Sequence, residues 1–141
     1  MIRKSVLLAC APPRAFALFT EQMSAWWPLD RRHTGDPSSQ LFISPEGRFW
    51  ERGADGREVE LGRVRAWEAG RRLLLDFYVG TDAQHPTEVE VRFVAEGAGT
   101  RVSIDHQVKP GSEELWQRRA PQFERSWELV LAALAAAATA R

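Results

Sequence analysis

Strict alternation of apolar and polar side chains in two neighbouring segments is the feature that most restricts the fold. In residues 88–93 the alternate apolar positions are Val89, Val91 and Phe93. In residues 101–109 one face is formed by Val102, Ile104, His106 and Val108. Because alternate side chains lie on the same face of a strand, each segment predicts a strand with one buried and one solvated face. Such strands need a second apolar layer to cover them.

Short apolar runs separated by turn signals extend this pattern back to Leu41. The turn signals are Pro45-Glu46-Gly47, Asp55-Gly56, Ala69-Gly70 and Gly97-Ala98-Gly99. Glycine-containing turns between apolar runs are typical of antiparallel hairpins, so we predict six consecutive strands. The alternation slips by one residue near Gly62, because the apolar residue after Leu61 is Val64. A slip at a glycine predicts a β-bulge, and a bulge bends the sheet.

The first forty residues predict one strand, two short helices and a loop. Residues 3–10 form the strand, and Pro12-Pro13 ends it and begins the first helix. The second helix is expected to run from Thr20, as its N-cap, to Trp26. Residues 28–40 predict a surface loop, in which the Arg31-Arg32 pair is expected to be solvated.

The end of the chain predicts a long amphipathic helix. Its apolar stripe consists of Phe123, Trp127, Val130, Leu131 and Leu134. Before it, Ser112 is expected to cap a short helix that Pro121 kinks or ends. The one-sided sheet must bury its apolar face, and the long helix offers the matching surface. We therefore predict an α+β fold in which about seven antiparallel strands, in the order β-α-α-β6-α, form a curved sheet wrapped around this helix.

Composition favours a single soluble domain over residues 1–141. The 19 basic residues balance the 19 acidic ones, so no net charge points to nucleic acid or an anionic membrane as a partner. No apolar run approaches the roughly 20 residues that span a bilayer. Cys10 is the single cysteine, and the apolar run before it is too short for a secretory signal. We expect a cytoplasmic protein.

The predicted order of elements resembles the helix-grip arrangement of the START-like, or Bet v 1-like (SRPBCC), superfamily. Within it, the chain resembles the branch named after the activator of Hsp90 ATPase, in its bacterial single-domain form. The residues that carry this resemblance are Ala11-Pro12 before Phe16 and Phe19, Trp26-Trp27-Pro28, Asp55-Gly56 before Gly62 and Val64, Gly99-Thr100 before His106, and Trp127 with Val130-Leu131. The resemblance implies a cavity between the sheet and the last helix. The superfamily includes lipid and hormone carriers, aromatase and cyclase subunits, and co-chaperone domains.

Aromatic residues and one histidine are the candidates for lining such a cavity. Ligand pockets are mostly apolar and aromatic with a few polar groups, and His106 shares the apolar face of its strand. The candidate ligand-binding residues are Trp26, Trp27, Glu51, Phe77, Phe93, His106, Trp116, Phe123 and Trp127. Alternatively, the tryptophans fill the core, and His106 is a core histidine whose nitrogens are satisfied by protein groups. The alternation of side chains along this strand does not decide whether Trp50, or Phe49 and Glu51, face inward.

These observations favour binding over catalysis. The leading hypothesis is a protein that binds an apolar or aromatic small molecule, and the alternative is a protein-interaction module that acts on a chaperone or regulator. A third hypothesis is a cyclase or hydratase that uses His106 with a carboxylate such as Glu51. His33, His85 and His106 lack the spacing of metal ligands, and the chain has no phosphate loop or dinucleotide motif. We predict neither a metal nor another cofactor.

Overall fold

The structure is a computed structural model that describes residues 1–139. Its elements, in chain order, are β1 (Ile2–Leu8), α1 (Pro12–Glu21), α2 (Met23–Trp26), a 3-10 turn (Leu29–Arg31), β2 (Gln40–Ile43), β3 (Arg48–Arg52), β4 (Glu58–Glu68), β5 (Arg72–Asp82), β6 (His85–Glu96), β7 (Gly99–Gln107) and α3 (Glu113–Thr139).

The seven strands form one antiparallel sheet in the order β1-β7-β6-β5-β4-β3-β2. The six strands from β2 to β7 are sequential neighbours, and β1 pairs with β7 at the far edge. The sheet curls around α3, and α1 and α2 pack beside it. The predicted α+β helix-grip fold is confirmed.

Two bulges in β4 bend the sheet. Phe49 pairs with Gly62 whereas Trp50 pairs with Glu60, so one extra residue stands in β4 at this point. A second irregularity lies between Val64 and Ala66. A Cβ on Gly62 would lie 2.3 Å from the carbonyl oxygen of Asp76, so only glycine allows this approach between β4 and β5. The bulge predicted near Gly62 is confirmed.

The apolar stripe of α3 is buried against the concave face of the sheet. Phe123, Trp127, Val130, Leu131 and Leu134 are each at most 5% exposed. One helix runs from Glu113 through Pro121 to Thr139, so of the two predicted alternatives, a kink or a new helix at Pro121, the new helix is wrong. Proline removes the bond to the carbonyl of Gln117, but both residues are exposed and water can solvate that carbonyl. Despite its length, α3 is not apolar enough to cross a membrane, and neither is any other helix in residues 1–139.

Two boundaries near the amino end also differ from prediction. Strand β1 ends at Leu8 and not at residue 10. Thr20 does not cap a second helix, because its hydroxyl donates to the carbonyl of Phe16 (2.8 Å) inside α1. Thr20 thus lies inside α1 with its hydroxyl already engaged, and α2 begins at Met23.

A buried carboxylate on the outer face of the sheet joins β4, β5 and the segment after β7. Asp76 is 8% exposed and accepts hydrogen bonds from Arg65 (3.0 Å) and Lys109 (2.7 Å). Burial by itself raises the pKa of Asp76, but the two cations outweigh burial, and the net effect lowers this pKa below its ordinary value. Asp76 therefore contributes to stability as a carboxylate.

We expect Asp76→Asn to lower the free energy of unfolding by about 1–3 kcal/mol at pH 7, because two charge-assisted hydrogen bonds are lost. The pKa of Asp76 is lower in the folded chain, so its contribution is present above about pH 4 and is lost as the pH falls below that value. Urea unfolding at pH 7 and pH 3 measures this, with the exposed Asp30→Asn as control. A deficit that is as large at pH 3 as at pH 7 would contradict the assignment.

Candidate ligand-binding site

An open pocket of about 270 Å³ lies where α3 meets β5 and the 3-10 turn. Its inner wall is apolar and its outer rim is polar. The apolar side chains are Trp27, Phe77, Val79, Phe123, Trp127 and Val130. The other lining residues are Asp30, Arg31, Arg32, His33, Gly80, Gln122 and Ser126. The pocket therefore offers an aromatic surface below a rim that can form hydrogen bonds.

The end of α2 directs Trp27 into this pocket. Trp27 has the extended backbone (φ −58°, ψ 126°) that a following proline favours, so the helix stops there. Its ring packs against Trp127 of α3, with the ring centroids 6.2 Å apart, and Trp127 in turn packs against Phe77 of β5 at 5.6 Å. These three rings connect the N-terminal helices, the last helix and the sheet.

His106 lies behind the pocket and is fully buried. The indole nitrogen of Trp127 donates a hydrogen bond to its Nδ1 (3.0 Å), and its Nε2 lies 2.8 Å from the hydroxyl oxygen of Thr87. Because indole only donates, Nδ1 is the acceptor and Nε2 carries the proton. Thr87 accepts that proton's hydrogen bond and donates its own to the carbonyl of Phe77 (3.1 Å). Both ring nitrogens are therefore satisfied by the protein.

The environment of His106 keeps it neutral. The imidazole is packed against the rings of Phe77, Trp116 and Phe123 at centroid distances of 4.5–5.3 Å. Burial away from water, with a smaller contribution from the positive terminal amine, lowers the pKa of His106 to about 3. The interpretation of His106 as a satisfied core histidine fits this geometry.

Glu51 anchors the loop that forms the pocket rim. Its buried carboxylate accepts hydrogen bonds from the backbone amides of His33 (2.9 Å) and Thr34 (3.2 Å) and from the Thr34 hydroxyl. Strands β4, β5 and β6 lie between the strand of Glu51 and the strand of His106. Glu51 binds His33 and Thr34, whereas His106 binds Trp127 and Thr87, so the structure does not pair Glu51 and His106 by a hydrogen bond.

The structure brings only some of the predicted site residues together. Trp27, Phe77, Phe123 and Trp127 line the pocket, and His106 and Trp116 lie behind it. Trp26 packs between Phe19 and Trp27, and Phe93 packs against Phe16 and Phe19 farther along the core. In β3, Phe49 and Glu51 face inward, whereas Trp50 stacks on Phe42 outside.

No sequence pattern indicates that the arginine pair belongs to the rim. Arg32 was expected to be solvated, but it is 8% exposed, because its guanidinium donates to the backbone carbonyls of Ser24 (2.7 Å), Trp27 (3.2 Å) and Ser39. Burial lowers the pKa of Arg32, and the charge of Glu51 opposes that effect. No periodicity marks a loop arginine as buried, since its acceptors are backbone groups brought near by the fold.

Gly80 gives Phe123 its place in the pocket wall. This glycine has a φ of +81°, and a Cβ added to it would lie 2.7 Å from the Phe123 ring. Gly70 has a similar φ of +76°, but a Cβ there would meet nothing within 4 Å. Alanine substitutions at Gly80 and Gly70 therefore separate the cost of backbone strain from the cost of contact with the Phe123 ring.

We expect Gly70→Ala to cost about 1–2 kcal/mol of stability, from left-handed backbone strain alone. Gly80→Ala should cost about 1–3 kcal/mol more, because it also pushes the Phe123 ring out of a packed site. Chemical denaturation gives the difference, and near-ultraviolet circular dichroism reports the displaced aromatic ring. Equal losses in the two variants would show that Phe123 does not depend on Gly80.

The pKa of His106 predicts loss of stability in mild acid. This pKa lies below the ordinary value near 6.5, so the unfolded chain binds the proton first, and stability falls as the pH drops below about 6.5. The slope from this group is at most about 1.4 kcal/mol per pH unit. We expect His106→Gln to have a lower free energy of unfolding than the parent protein at pH 7. This difference should become smaller toward pH 4.

Denaturation series between pH 7 and pH 4 measure this gap. The exposed His33→Gln variant is the matched control and should keep the slope of the parent protein. A gap between His106→Gln and the parent that is constant with pH would refute a buried, neutral His106.

Solved structures similar to this chain have its whole architecture. CalC from Micromonospora echinospora, described as a self-sacrificing resistance protein, is 25% identical, with a TM-score of 0.73 over 97% of this chain and 92% of that one. Txn09, described as an anthrahydroquino-γ-pyrone synthase and solved as a complex with SUM, is 27% identical, with a TM-score of 0.60 over 95% of this chain and 94% of that one. Ms6760 from Mycobacterium smegmatis, at 16% identity and a TM-score of 0.62 over 99% of this chain and 90% of that one, shares the fold.

No curated protein matches the chain. The family model of the activator of Hsp90 ATPase homolog 1-like protein matches residues 9–139, which include α1, α2, strands β2 to β7 and α3. With the curled seven-stranded sheet around α3, this match shows that the chain belongs to the activator of Hsp90 ATPase homolog 1-like family, within the Bet v 1-like (SRPBCC) superfamily.

Proposed function

We propose that this protein binds an apolar, aromatic small molecule in the pocket bounded by Trp27, Phe77 and Trp127. The observation that carries the proposal is a concave pocket of about 270 Å³ whose wall consists mainly of aromatic rings and whose rim is polar. Trp27, Phe77 and Trp127 are only 3–6% exposed, and the surface they keep borders the pocket. A concave apolar surface with a few polar groups is typical of ligand sites.

The size and shape of the pocket suit one small, flat molecule. Its volume of about 270 Å³ is near the lower end of the usual range for ligand sites. The rings of Trp27 and Trp127 meet edge to face at 77°, so a planar ligand can stack on one ring and contact the edge of the other. The molecule must enter from the rim, because His106 and the surrounding rings fill the space behind.

Two relatives support the proposal by analogy. Txn09 is described as a synthase of an anthrahydroquino-γ-pyrone, which is a fused aromatic ring system, and CalC is described as a resistance protein. Both share more than nine-tenths of this chain's length. One fold can serve several activities, so the proposal depends on the geometry of the pocket and not on the shared fold.

The geometry gives no support to the cyclase or hydratase hypothesis. Both nitrogens of His106 are bonded to protein groups, and the residue does not line the pocket. A general base must reach the proton that it removes. The protein-interaction hypothesis stays a prediction, and absence of any small-molecule binding would favour it.

We expect a neutral fused aromatic, anthraquinone-2-carboxamide, to bind and stabilise the protein. At about 100 times its dissociation constant, a ligand specific to the folded state adds about 2.7 kcal/mol to the free energy of unfolding. Isothermal titration calorimetry measures binding, and denaturation in the presence of the compound measures stabilisation.

Two tryptophan substitutions on α3 locate the site. Gln122 lines the pocket, so Gln122→Trp should fill its mouth and weaken binding at least about tenfold, as expected for loss of apolar contact. Gln117 is exposed on the same helix and lies outside the pocket, so Gln117→Trp should bind like the parent. If neither this compound nor related fused aromatics bind, or if both variants bind equally well, the proposal fails.

A further inference from the structure

The rim of the pocket carries positive charge that the protein does not neutralise by contact. Arg31 ends the 3-10 turn and Arg32 follows it, and both line the pocket. Arg32 donates only to backbone carbonyls, and Arg31 donates one long hydrogen bond of 3.4 Å to the hydroxyl of Ser126 on α3. Neither guanidinium therefore forms an ion pair in residues 1–139.

Both arginines also keep an unused donor. The Nε atoms of Arg31 and Arg32 are buried and have no hydrogen-bond partner within the described chain. A buried donor without an acceptor is unfavourable, and this is stronger for a charged group. Both arginines line the open pocket, so a ligand there can bring an acceptor that the described chain does not provide.

The carboxylates near the rim do not supply that acceptor. Asp30 lines the pocket, but its side chain is exposed and points its charge to water. Glu51 already accepts hydrogen bonds from His33 and Thr34 and influences Arg32 only through its charge. The rim therefore favours an anion over a cation, with Asp30 as the opposing charge.

We propose that the natural ligand carries a carboxylate that binds Arg31, while its aromatic body lies on Trp27, Phe77 and Trp127. This inference rests on the proposed function and specifies the chemical class of ligand for the same pocket. A carboxylate matches the planar fork of a guanidinium and can accept two parallel hydrogen bonds from it. The ligand carboxylate would replace the long hydrogen bond from Arg31 to Ser126. It would also accept a hydrogen bond from the unpaired Nε of Arg31.

The two arginines have different parts in this arrangement. Arg32 is a positioning residue, because its three backbone acceptors, the carbonyls of Ser24, Trp27 and Ser39, tie the 3-10 turn to α2 and to the start of β2. Arg31 is half-buried and has one weak partner, so it can exchange that partner for a ligand. A variant of Arg31 therefore tests recognition, whereas a variant of Arg32 would disturb the loop itself.

A matched pair of compounds tests the charge requirement on the unaltered protein. Anthraquinone-2-carboxylate and anthraquinone-2-carboxamide have the same ring system and nearly the same size, but only the first is an anion at pH 7. We expect the carboxylate to bind at least about tenfold more tightly by calorimetry, as a charge-assisted bond predicts. Its advantage should shrink between 50 mM and 500 mM salt, whereas the affinity of the carboxamide should not change.

Variants then assign the preference to one residue. Arg31→Gln should reduce the carboxylate's advantage over the carboxamide, both measured on that variant, to about twofold or less. Arg31→Lys should retain part of the advantage, because it keeps the charge but loses the fork. The exposed Arg14→Gln is the control for net charge and should behave like the parent.

The outcomes separate this inference from the proposed function. If both compounds bind the parent with equal affinity, or if Arg31→Gln weakens both equally, the anion assignment is overturned while the pocket remains a ligand site. If neither compound binds, the proposed function and this inference fail together. Because the comparison of the two compounds uses the parent protein, it does not depend on whether any variant folds.

Discussion

Burial of the one-sided sheet against α3 is the constraint on which the rest of the structure depends. In β6 and β7 the buried side chains alternate with less buried ones, so the concave face must be covered by a single continuous surface. The stripe of Phe123, Trp127, Val130, Leu131 and Leu134 provides that surface. The bulges in β4 let the sheet curl far enough to reach it. The pocket is what remains where this covering is incomplete.

The hydrogen bond between Trp127 and His106 places a polar contact in the middle of this apolar interface. Such a contact is favourable only if both partners are satisfied, and here Thr87 completes the arrangement. It fixes how far α3 can slide or rotate over β7, because a shift of one residue would leave buried donors and acceptors unpaired. The histidine that resembles a catalytic group in the sequence thus serves to position the helix. His106 is buried and neutral, and it lies behind the wall of the open pocket and not in the pocket itself.

The pocket rim depends on interactions of another kind. Glu51 binds the loop after the 3-10 turn by its backbone amides, and Arg32 binds the turn and its neighbours by their carbonyls. Each of these buried charges is directed at backbone groups that the loop cannot satisfy internally. As a result, the loop is held above Trp27 and Phe77, and Arg31 is presented at the opening. A binding site can then lie on an irregular segment without that segment being loose.

The sequence by itself determined the architecture. Alternation in β6 and β7, the turn signals, the slip near Gly62 and the stripe on α3 are local patterns, and each reports directly which face of an element is buried. They also placed Trp27, Phe77, Phe123 and Trp127 between sheet and helix. Tertiary structure alone decided which of these aromatic rings line the pocket, that Glu51 and His106 bind different partners, and that Arg32 is buried while Arg31 is available. These outcomes depend on contacts between residues distant in sequence, and periodicity carries no information about which backbone group or ring will be the neighbour.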